Sequence, residues 1–270
     1  MKKKLIIGVF TVGLLGLAGC AQEGEQTAET STTTTEDSGE VTIYLTRHGE
    51  TMFNDLDKVQ GWSDTPLTEE GEEVAVDLGK GLAQEDISFQ AVYSSDMKRS
   101  YDTADAVLEG LGQEDNEQVQ ELKGLREAGS GQFEGESLDT IDEDQAKEAG
   151  YDSYEEYEDE KREPGEDEWS WLANAHYYAD QSGYAEGAEK VQERMTNAIE
   201  KIAEDQSQEG GGNVLVVSHG MSINVMLADM TDKYEGDSLE NASVTKIHYQ
   251  DGSLDVESIG DTSYLEEGEN

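Results

Sequence analysis

Two histidines each follow a short apolar run and are each followed by a glycine. His48 stands in the run IYLTRHG with Gly49, and His219 stands in LVVSHG with Gly220. A neutral imidazole is a nucleophile at neutral pH, and a glycine lets the backbone turn sharply and approach a ligand. Arg47, beside the first histidine, carries a planar and permanently charged group that fits phosphate oxygens. These residue types together predict chemistry on a phosphoryl group.

Two further segments supply the other groups that phosphoryl transfer requires. The reaction needs cations on the nonbridging oxygens, a nucleophile in line with the leaving oxygen, and an acid to protonate that oxygen. Arg99, in SSDMKRSYDTA, is a second cation, and Glu127, in LREAGSGQFEG, is a candidate acid. Asp96 and Asp102 flank Arg99 and either orient it or, as is usual for such acids, lie on a solvated helix face. The four histidines do not have the spacing of metal ligands, so we expect neither a metal nor a cofactor.

Strands and helices alternate along the chain and would bring these segments together. Apolar, β-branched runs predict strands, and apolar residues at helical spacing predict helices. The predicted strands are 41–45, 91–93, 214–217, 244–249 and 254–258, and the predicted helices are 67–82, 96–108, 187–203 and 221–230. We expect an α/β three-layer sandwich with a mostly parallel central sheet and helices on both faces. Sites in such sheets lie at the carboxyl ends of strands, where both histidines are placed.

The motifs resemble those of the histidine phosphatase superfamily, which has the phosphoglycerate mutase-like fold, over about residues 41–258. The run RHGET, residues 47–51, resembles the signature whose histidine accepts the phosphoryl group, here His48. Asn54, and Gly61 in QGWSDTPLTEEG, resemble the loop that contacts phosphate.

The resemblance implies a role for each remaining motif. Arg99 is similar to the second phosphate-binding arginine, and Glu127 to the proton donor. The SHG run resembles the second histidine motif, in which His219 would bind the phosphoryl group. Gly49 and Gly220, beside the two histidines, would contact the substrate.

The implied reaction has two steps. His48 attacks phosphorus while Arg47, Arg99 and His219 hold the oxygens, and Glu127 protonates the leaving alkoxide. Water activated by the same carboxylate then hydrolyses the phosphohistidine. The first histidine must be neutral, whereas the second helps more when it is protonated, so we expect the pair to titrate apart.

The segment after the acid motif favours a phosphatase over a mutase. Mutases of this fold carry extra basic residues there, whereas residues 134–168 hold 17 acids and three bases. We expect hydrolysis of a small phosphorylated substrate, with a phosphoglycerate mutase-type phosphotransferase as one alternative. A catalytically silent lipoprotein that binds phosphorylated ligands is another, and the complete set of reactive groups argues against it.

Residues 134–186 are predicted to form a helical cap inserted in the domain. Its aromatic residues either line the substrate entrance or pack the cap against the core: Trp169, Trp171, Tyr177 and Tyr178. His176 is interpreted as a packing or surface residue of the cap.

The N-terminus has the layout of a bacterial lipoprotein. Residues 1–19 read as a signal peptide, with three lysines, a short apolar run and small residues, and Cys20 is the candidate lipidated residue. Residues 20–40 form a linker without large apolar residues, 41–260 form the phosphatase domain, and 261–270 form an acidic tail. The arrangement predicts a lipid anchor on the extracellular face of a bacterial cell membrane, of the Gram-positive type.

The charge of the chain is strongly negative. The formal net charge is −45 over 270 residues. A surface of this kind repels nucleic acid and anionic membranes, so we expect no nucleic-acid partner. Because Cys20 is the single cysteine, a disulfide framework within the chain is excluded.

Overall fold

One six-stranded sheet organises the protein in this computed structural model, which describes residues 39–113 and 118–269. The strands are β1 (Val41–Arg47), β2 (Ala91–Ser94), β3 (Val119–Glu121), β4 (Gly212–Ser218), β5 (Val244–Gln250) and β6 (Ser253–Asp261). Their order is β3-β2-β4-β1-β5-β6, with parallel pairing from β3 to β1 and antiparallel pairing for β5 and β6. The predicted α/β fold with a mostly parallel sheet is confirmed. The predicted signal peptide and Cys20 lie outside the described residues.

Helices cover both faces of the sheet. The short helix α1 (Met52–Asp55) follows β1. One core cluster includes residues of α2 (Glu69–Gln84), α3 (Lys98–Leu111) and α9 (Ser263–Gly268). The other includes residues of α7 (Ala188–Gln208) and α8 (Gly220–Met230). Alternate strand side chains point to opposite faces. Ile43 accordingly packs in the cluster that includes Met195, while Tyr44 packs in the cluster that includes Leu78. Burial on both faces explains why β1 and β4 read as nearly continuous apolar runs.

The dipeptide Asp251-Gly252, between the predicted strands 244–249 and 254–258, predicts a hairpin turn. Both residues have positive φ, 52° and 81°, as a two-residue hairpin turn of this type requires. β5 pairs antiparallel with β6 on either side of the turn. The predicted hairpin is confirmed.

The cap contains three helices: α4 (Ile141–Glu148), α5 (Tyr154–Lys161) and α6 (Glu168–Ala179). Trp171 and Tyr157 are fully buried in a small core of the cap, where the Tyr157 hydroxyl donates to the Ala175 carbonyl at 2.8 Å. Tyr177 and Tyr178 are 54% and 47% exposed. The cap aromatics therefore divide: Trp171 packs the cap, Tyr177 and Tyr178 face solvent, and Trp169 packs against the sheet core and lines a cavity beside His48. No helix in the described ranges is both long and apolar enough to cross a membrane.

The end of the chain is more structured than an acidic tail. Helix α9 packs against α2, and Tyr264 is buried in the same cluster as Leu78 and Leu82. A Cβ on Gly81 would come within 1.8 Å of the Tyr264 carbonyl oxygen, so α2 and α9 are in backbone contact there. One buried aromatic among acids is too weak a periodic signal to predict this helix.

Candidate active site

The two histidines meet at the carboxyl edge of the sheet. β1 and β4 are parallel neighbours, and Arg47 is in register with Ser218. The residues that follow, His48 and His219, are therefore side by side, with ring centroids 5.1 Å apart and planes at 62°. Both side chains are buried, with relative exposures of 3% and 0%.

His48 is oriented by the backbone. Its Nδ1 lies 2.8 Å from the Gly49 carbonyl oxygen, and Asn241 Nδ2 donates to the His48 carbonyl at 2.7 Å. Because a carbonyl oxygen only accepts, Nδ1 carries the proton and the lone pair of the neutral ring is at Nε2. Burial, followed by the charges of Arg99 and Arg47, lowers the pKa of His48 well below its usual 6.5. The ring is therefore a neutral nucleophile at pH 7.

His219 is also neutral, so it is not in the protonated form in which it would help more. Its Nδ1 accepts a hydrogen bond from Arg99 Nε at 3.1 Å, and its Nε2 lies 2.7 Å from Ser95 Oγ and 3.1 Å from Ser100 Oγ. A guanidinium only donates, so Nδ1 must be unprotonated. Burial, Arg99 and His48 lower the pKa of His219 well below 6.5. Both histidines are thus shifted in the same direction.

Arg99 is fully buried, and its guanidinium binds two backbone carbonyls, Asp64 and His219. Its Nη1 donates to the Ser63 carbonyl at 2.9 Å and to Asp64 Oδ1 at 3.2 Å, and its Nη2 donates to the Gly61 carbonyl at 2.8 Å. One Nη2 hydrogen is left for a further acceptor. The loop at 61–64 therefore fixes the guanidinium behind the histidines.

Of the two interpretations of Asp96 and Asp102, orientation of Arg99 is not borne out. Asp96 binds Arg126 through two hydrogen bonds of 2.6 and 2.7 Å. Asp102 binds Lys98 one turn earlier on the surface of α3. Both carboxylates therefore pair with a nearby cation on the surface. The acid that reaches the buried Arg99 is Asp64, from the loop at 61–64.

Glu134 holds the loop that binds Arg99. Its carboxylate accepts hydrogen bonds from the backbone N–H groups of Gly61 at 3.1 Å, Trp62 at 2.6 Å, Ser63 at 2.9 Å and Ser130 at 3.1 Å. A Cβ at Gly61 would lie 2.4 Å from Glu134 Oε1, so only glycine fits. The N–H of Gly61 is therefore used by Glu134 and its carbonyl by Arg99.

We expect Glu134→Gln to lower kcat/KM by about 10- to 100-fold and to cost about 1–3 kcal/mol of unfolding free energy. An amide offers fewer acceptor sites than a carboxylate, so N–H groups of the loop lose their partner and the loop carbonyls shift away from Arg99. Steady-state kinetics and urea unfolding would measure both effects. Glu136→Gln, an exposed carboxylate two residues away, is the matched control. Equal kinetics for the two variants would contradict the positioning role.

Glu127 lies at the N-terminus of α8 and is 7% exposed. Its Oε1 accepts from the N–H groups of Ala128 and Ser222, both at 2.8 Å, and its Oε2 accepts from Met221 N–H at 3.1 Å. Helix N-termini favour carboxyl groups because several N–H dipoles converge there. The carboxyl group is consequently held in one orientation by three backbone donors.

Arg194 of α7 supports the segment that carries Glu127, and sequence reasoning did not single it out. Its guanidinium donates to the carbonyls of Gly124, Arg126 and Glu127 at 3.0, 2.5 and 3.0 Å. It also forms an ion pair of 2.9 Å with Glu186, which is 3% exposed. The segment 124–127 is thus tied to α7 through three carbonyl groups.

A cavity of about 170 Å³ opens beside His48. Five predicted site residues line it: Arg47, His48, Asn54, Glu127 and Gly220. Eleven more residues complete the wall: Lys58, Val59, Gln60, Ala128, Ser130, Leu138, Trp169, His176, Met221, Asn224 and Ser238. The other predicted residues, Gly49, Gly61, Arg99 and His219, are not on the cavity wall.

Arg47 and Gly49 show how the first motif is used. Arg47 Nη1 donates to the Leu239 carbonyl at 2.7 Å, and its buried Nε has no partner among the described residues. Gly49 N–H donates to Thr103 Oγ1 at 2.9 Å, and a Cβ at Gly49 would lie 2.3 Å from the Gly71 carbonyl oxygen. Arg47 therefore retains donors at the cavity, whereas Gly49 permits close packing against α2.

A larger groove lies elsewhere and does not suit phosphate. It has about 890 Å³ and is formed mainly by exposed acids of α2 and α3, among them Glu69, Glu72, Asp102 and Asp105. Its negative potential repels phosphate esters. In the two described ranges, no group of three or more His, Cys, Asp or Glu side chains is placed to hold a metal ion.

Acidification should destabilise the fold through its buried histidines, and His176 gives the clearest test. Burial lowers the pKa of His176 to about 4. Between pH 6.5 and 4 the unfolded chain binds a proton that the folded chain excludes, so stability falls as the pH falls, by about 3 kcal/mol for this residue. Urea unfolding at several pH values would measure the slope. His176→Phe, which keeps a ring against Phe133, should reduce the slope by one proton, and an unchanged slope would contradict the prediction.

Comparison with known proteins agrees with this geometry. The sequence model of the histidine phosphatase superfamily (branch 1) matches residues 43–167 and 141–262. A broad-specificity phosphatase of Saccharomyces cerevisiae is 31% identical over 247 residues, covering 87% of this chain and 91% of the relative. A metal-independent phosphoserine phosphatase of Arabidopsis thaliana is 28% identical, covering 83% of this chain and 82% of the relative.

A solved structure named as a phosphoglycerate mutase from Bacillus anthracis is similar over 87% of this chain and 99% of its own. It is 42% identical, with a TM-score of 0.76. The chain belongs to the histidine phosphatase superfamily, and the phosphatases among its relatives support a phosphatase enzyme.

Proposed function

We propose that the protein hydrolyses phosphate monoesters through a phosphohistidine at His48, without a metal ion. The observation that carries the proposal is the orientation of His48. Its Nδ1–H donates to the Gly49 carbonyl, so the lone pair on Nε2 is available to attack phosphorus. Its lowered pKa keeps the ring unprotonated at neutral pH.

In the first step, Nε2 of His48 forms a bond to phosphorus and the bond from phosphorus to the ester oxygen breaks. Arg47 carries positive charge on the cavity wall, and Arg99 and His219 lie behind it. These fixed charges and dipoles stabilise the developing charge without reorganising. Glu127 donates a proton to the departing oxygen, so the product leaves as an alcohol.

In the second step, water attacks the phosphohistidine. Glu127, now a carboxylate, takes a proton from the water, and the bond between phosphorus and nitrogen breaks. Inorganic phosphate is released and His48 returns to its neutral form. The three N–H donors to Glu127 keep its carboxyl group in place for both proton transfers.

The cavity wall favours hydrolysis over phosphate return to a sugar acid. The cap contributes Leu138, Trp169 and His176 to the wall, and none of them carries a permanent charge to bind a carboxylate. The cation on the wall besides Arg47 is Lys58, whose Nζ already donates to the Gly135 carbonyl at 2.8 Å. The mutase alternative is supported by the name of the Bacillus anthracis structure and by a Salmonella choleraesuis relative named as a probable phosphoglycerate mutase, which is 27% identical over 234 residues. A silent binding protein is disfavoured because the nucleophile, the clamp and the acid are all present.

Incubation of the purified protein with 3-phosphoglycerate and a panel of phosphate esters, with and without EDTA, separates the alternatives. A phosphatase releases inorganic phosphate and forms little 2-phosphoglycerate, and EDTA has no effect. Conversion of 3- to 2-phosphoglycerate that outpaces phosphate release would support the mutase. The absence of both products would favour a binding protein.

We also propose that Cys20 anchors the protein to the outer face of the cell membrane. The support is the sequence of residues 1–20, with its lysines, short apolar run and terminal LAGC. Expression with labelled palmitate in a bacterial host tests this. Label on the wild-type chain but not on Cys20→Ala is the expected result, and equal labelling or none would contradict the anchor.

A further inference from the structure

Two buried polar side chains on the cavity wall lack hydrogen-bond partners within the described residues. They are Asn224, whose Oδ1 and Nδ2 are both unpaired, and His176, whose Nδ1 is unpaired. Their relative exposures are 1% and 6%. Buried polar groups are almost always satisfied, because leaving one unpaired is costly. Both residues line the cavity beside His48, but their unpaired atoms are almost fully covered, so a bound molecule that supplies the missing partners must draw the side chains toward the cavity.

Helices hold both side chains in position. Asn224 lies four residues after Gly220 on α8, so the two share a face of the helix, and both are on the cavity wall. His176 lies on α6, and its ring stacks on Phe133 with centroids 5.8 Å apart and planes at 22°. Groups fixed in this way bind a ligand with little further loss of conformational freedom.

The unpaired amide selects the chemistry of its partner. It offers one acceptor and two donor hydrogens, so a carboxylate leaves Oδ1 unpaired and an ammonium leaves Nδ2 unpaired. A hydroxyl both donates and accepts, and neighbouring hydroxyls satisfy both ends of the amide. A zwitterion would satisfy both as well, but its ammonium needs a carboxylate. Among the described residues, Glu127 is the one acid on the wall, and in the proposed reaction it carries the proton to the leaving oxygen, so it is not a dedicated partner for an ammonium.

The size of the cavity limits the leaving group. The volume of about 170 Å³ is below the range of about 300–1,000 Å³ for drug-sized ligands. The space suits a phosphoryl group and a leaving group of a few atoms. Nucleotides and inositol polyphosphates would extend far outside it.

We propose that Asn224 and His176 recognise the hydroxyl groups of the leaving alcohol, and that the substrates are phosphate monoesters of small polyhydroxy alcohols. This assignment rests on the proposed phosphatase function of the same cavity. Asn224 and His176 then determine specificity, whereas His48 and Glu127 carry the reaction.

Glycerol 1-phosphate and n-propyl phosphate test the assignment, because their leaving groups share a carbon chain and differ by two hydroxyls. We expect the wild-type protein to prefer glycerol 1-phosphate by about 10- to 100-fold in kcat/KM. Asn224→Leu, which keeps the shape but removes the amide, should reduce this ratio about 10-fold. His176→Phe should reduce it in the same direction. Met226→Leu, a buried volume-conserving change on the same helix, should leave the ratio as in the wild type.

Stability distinguishes recognition from a structural role. If the amide is unpaired in the free protein and binds only a substrate hydroxyl, Asn224→Leu removes an unpaired buried polar group. The unfolding midpoint of the variant should then equal or exceed that of the wild type. If the amide is a structural element, the variant should unfold more easily and lose activity on both esters alike. The second pattern would overturn the proposal.

Further substrates separate the failure of this inference from the failure of the proposed function. Equal turnover of both esters by the wild type, with p-nitrophenyl phosphate also hydrolysed, would overturn the hydroxyl recognition and leave the phosphatase standing. A preference for phosphoserine or 3-phosphoglycerate over glycerol 1-phosphate would overturn the polyhydroxy assignment. No hydrolysis of any ester, p-nitrophenyl phosphate included, would refute the phosphatase function and the inference together.

Discussion

Replacing His48 with alanine is expected to lower kcat by roughly 10⁴-fold or more for every phosphate ester. The imidazole of His48 lines the cavity, and its hydrogen bond from Nδ1 to the Gly49 carbonyl leaves the lone pair on Nε2 free to attack. Water would then have to attack the ester directly, without a covalent intermediate. Initial rates with p-nitrophenyl phosphate over a wide range of enzyme concentration would measure the loss.

The same variant should fail to form an acid-labile, base-stable phosphoprotein after rapid quenching with labelled substrate. His248→Ala is the matched control, because His248 is an exposed histidine on β5 that contacts Thr42 and Glu257. That variant should label and turn over as the wild type does. Undiminished turnover in His48→Ala would show that the nucleophile is another group.

The second large effect concerns Glu127. Glu127→Gln should lower kcat by about 10²- to 10⁴-fold for alkyl phosphates, whose departing alkoxides require a proton. The loss in the first step should be much smaller for p-nitrophenyl phosphate, because p-nitrophenolate is a stable anion and leaves unprotonated. The dependence on the leaving group identifies a general acid and distinguishes it from a residue that only binds substrate.

Pre-steady-state kinetics separate the two roles of Glu127. With p-nitrophenyl phosphate, Glu127→Gln should give a rapid burst of p-nitrophenolate followed by slow turnover, because the water in the second step still lacks its base. The amide also loses an acceptor for the N–H groups at the start of α8, at a cost of about 1–3 kcal/mol in unfolding free energy. Equal losses for alkyl and aryl esters, without a burst, would contradict the assignment.

The strands and the reacting residues were the most predictable part of the structure. β1 and β4 are buried on both faces, so their sequences are continuous apolar runs, and parallel pairing necessarily places His48 and His219 at one edge. Short elements with few apolar residues gave no such signal. β3 has three residues, of which only Val119 is buried, and α9 depends on Tyr264.

The supporting contacts were less predictable because they join side chains to backbone groups of distant segments. Glu134 binds N–H groups of the loop at 61–63, and Arg194 binds carbonyls of the segment 124–127. Sequence does not show which backbone groups a fold leaves unpaired. Arg194 does leave one trace, because it lies three residues after the buried Val191 and therefore beside the apolar stripe of α7.

Neighbours in sequence were a poor guide to the partner of Arg99. On a helix, residues three apart point in similar directions, but Asp102 lies toward solvent and pairs with Lys98. The acid that does reach Arg99, Asp64, is 35 residues away along the chain. The neutral state of His219 also depends on Arg99, since the guanidinium donates to Nδ1 of His219, which therefore carries no proton.

The acidic cap also affects how the product leaves. Residues 134–168 hold 17 acids, whereas the cavity wall holds Arg47 and Lys58 against Glu127 alone. A released phosphate dianion that moves beyond the wall meets a repulsive potential that extends about one Debye length, roughly 8 Å at physiological ionic strength. Rebinding is therefore slow in dilute buffer. Product inhibition by inorganic phosphate should strengthen as salt is added, and KM for dianionic esters should fall in parallel.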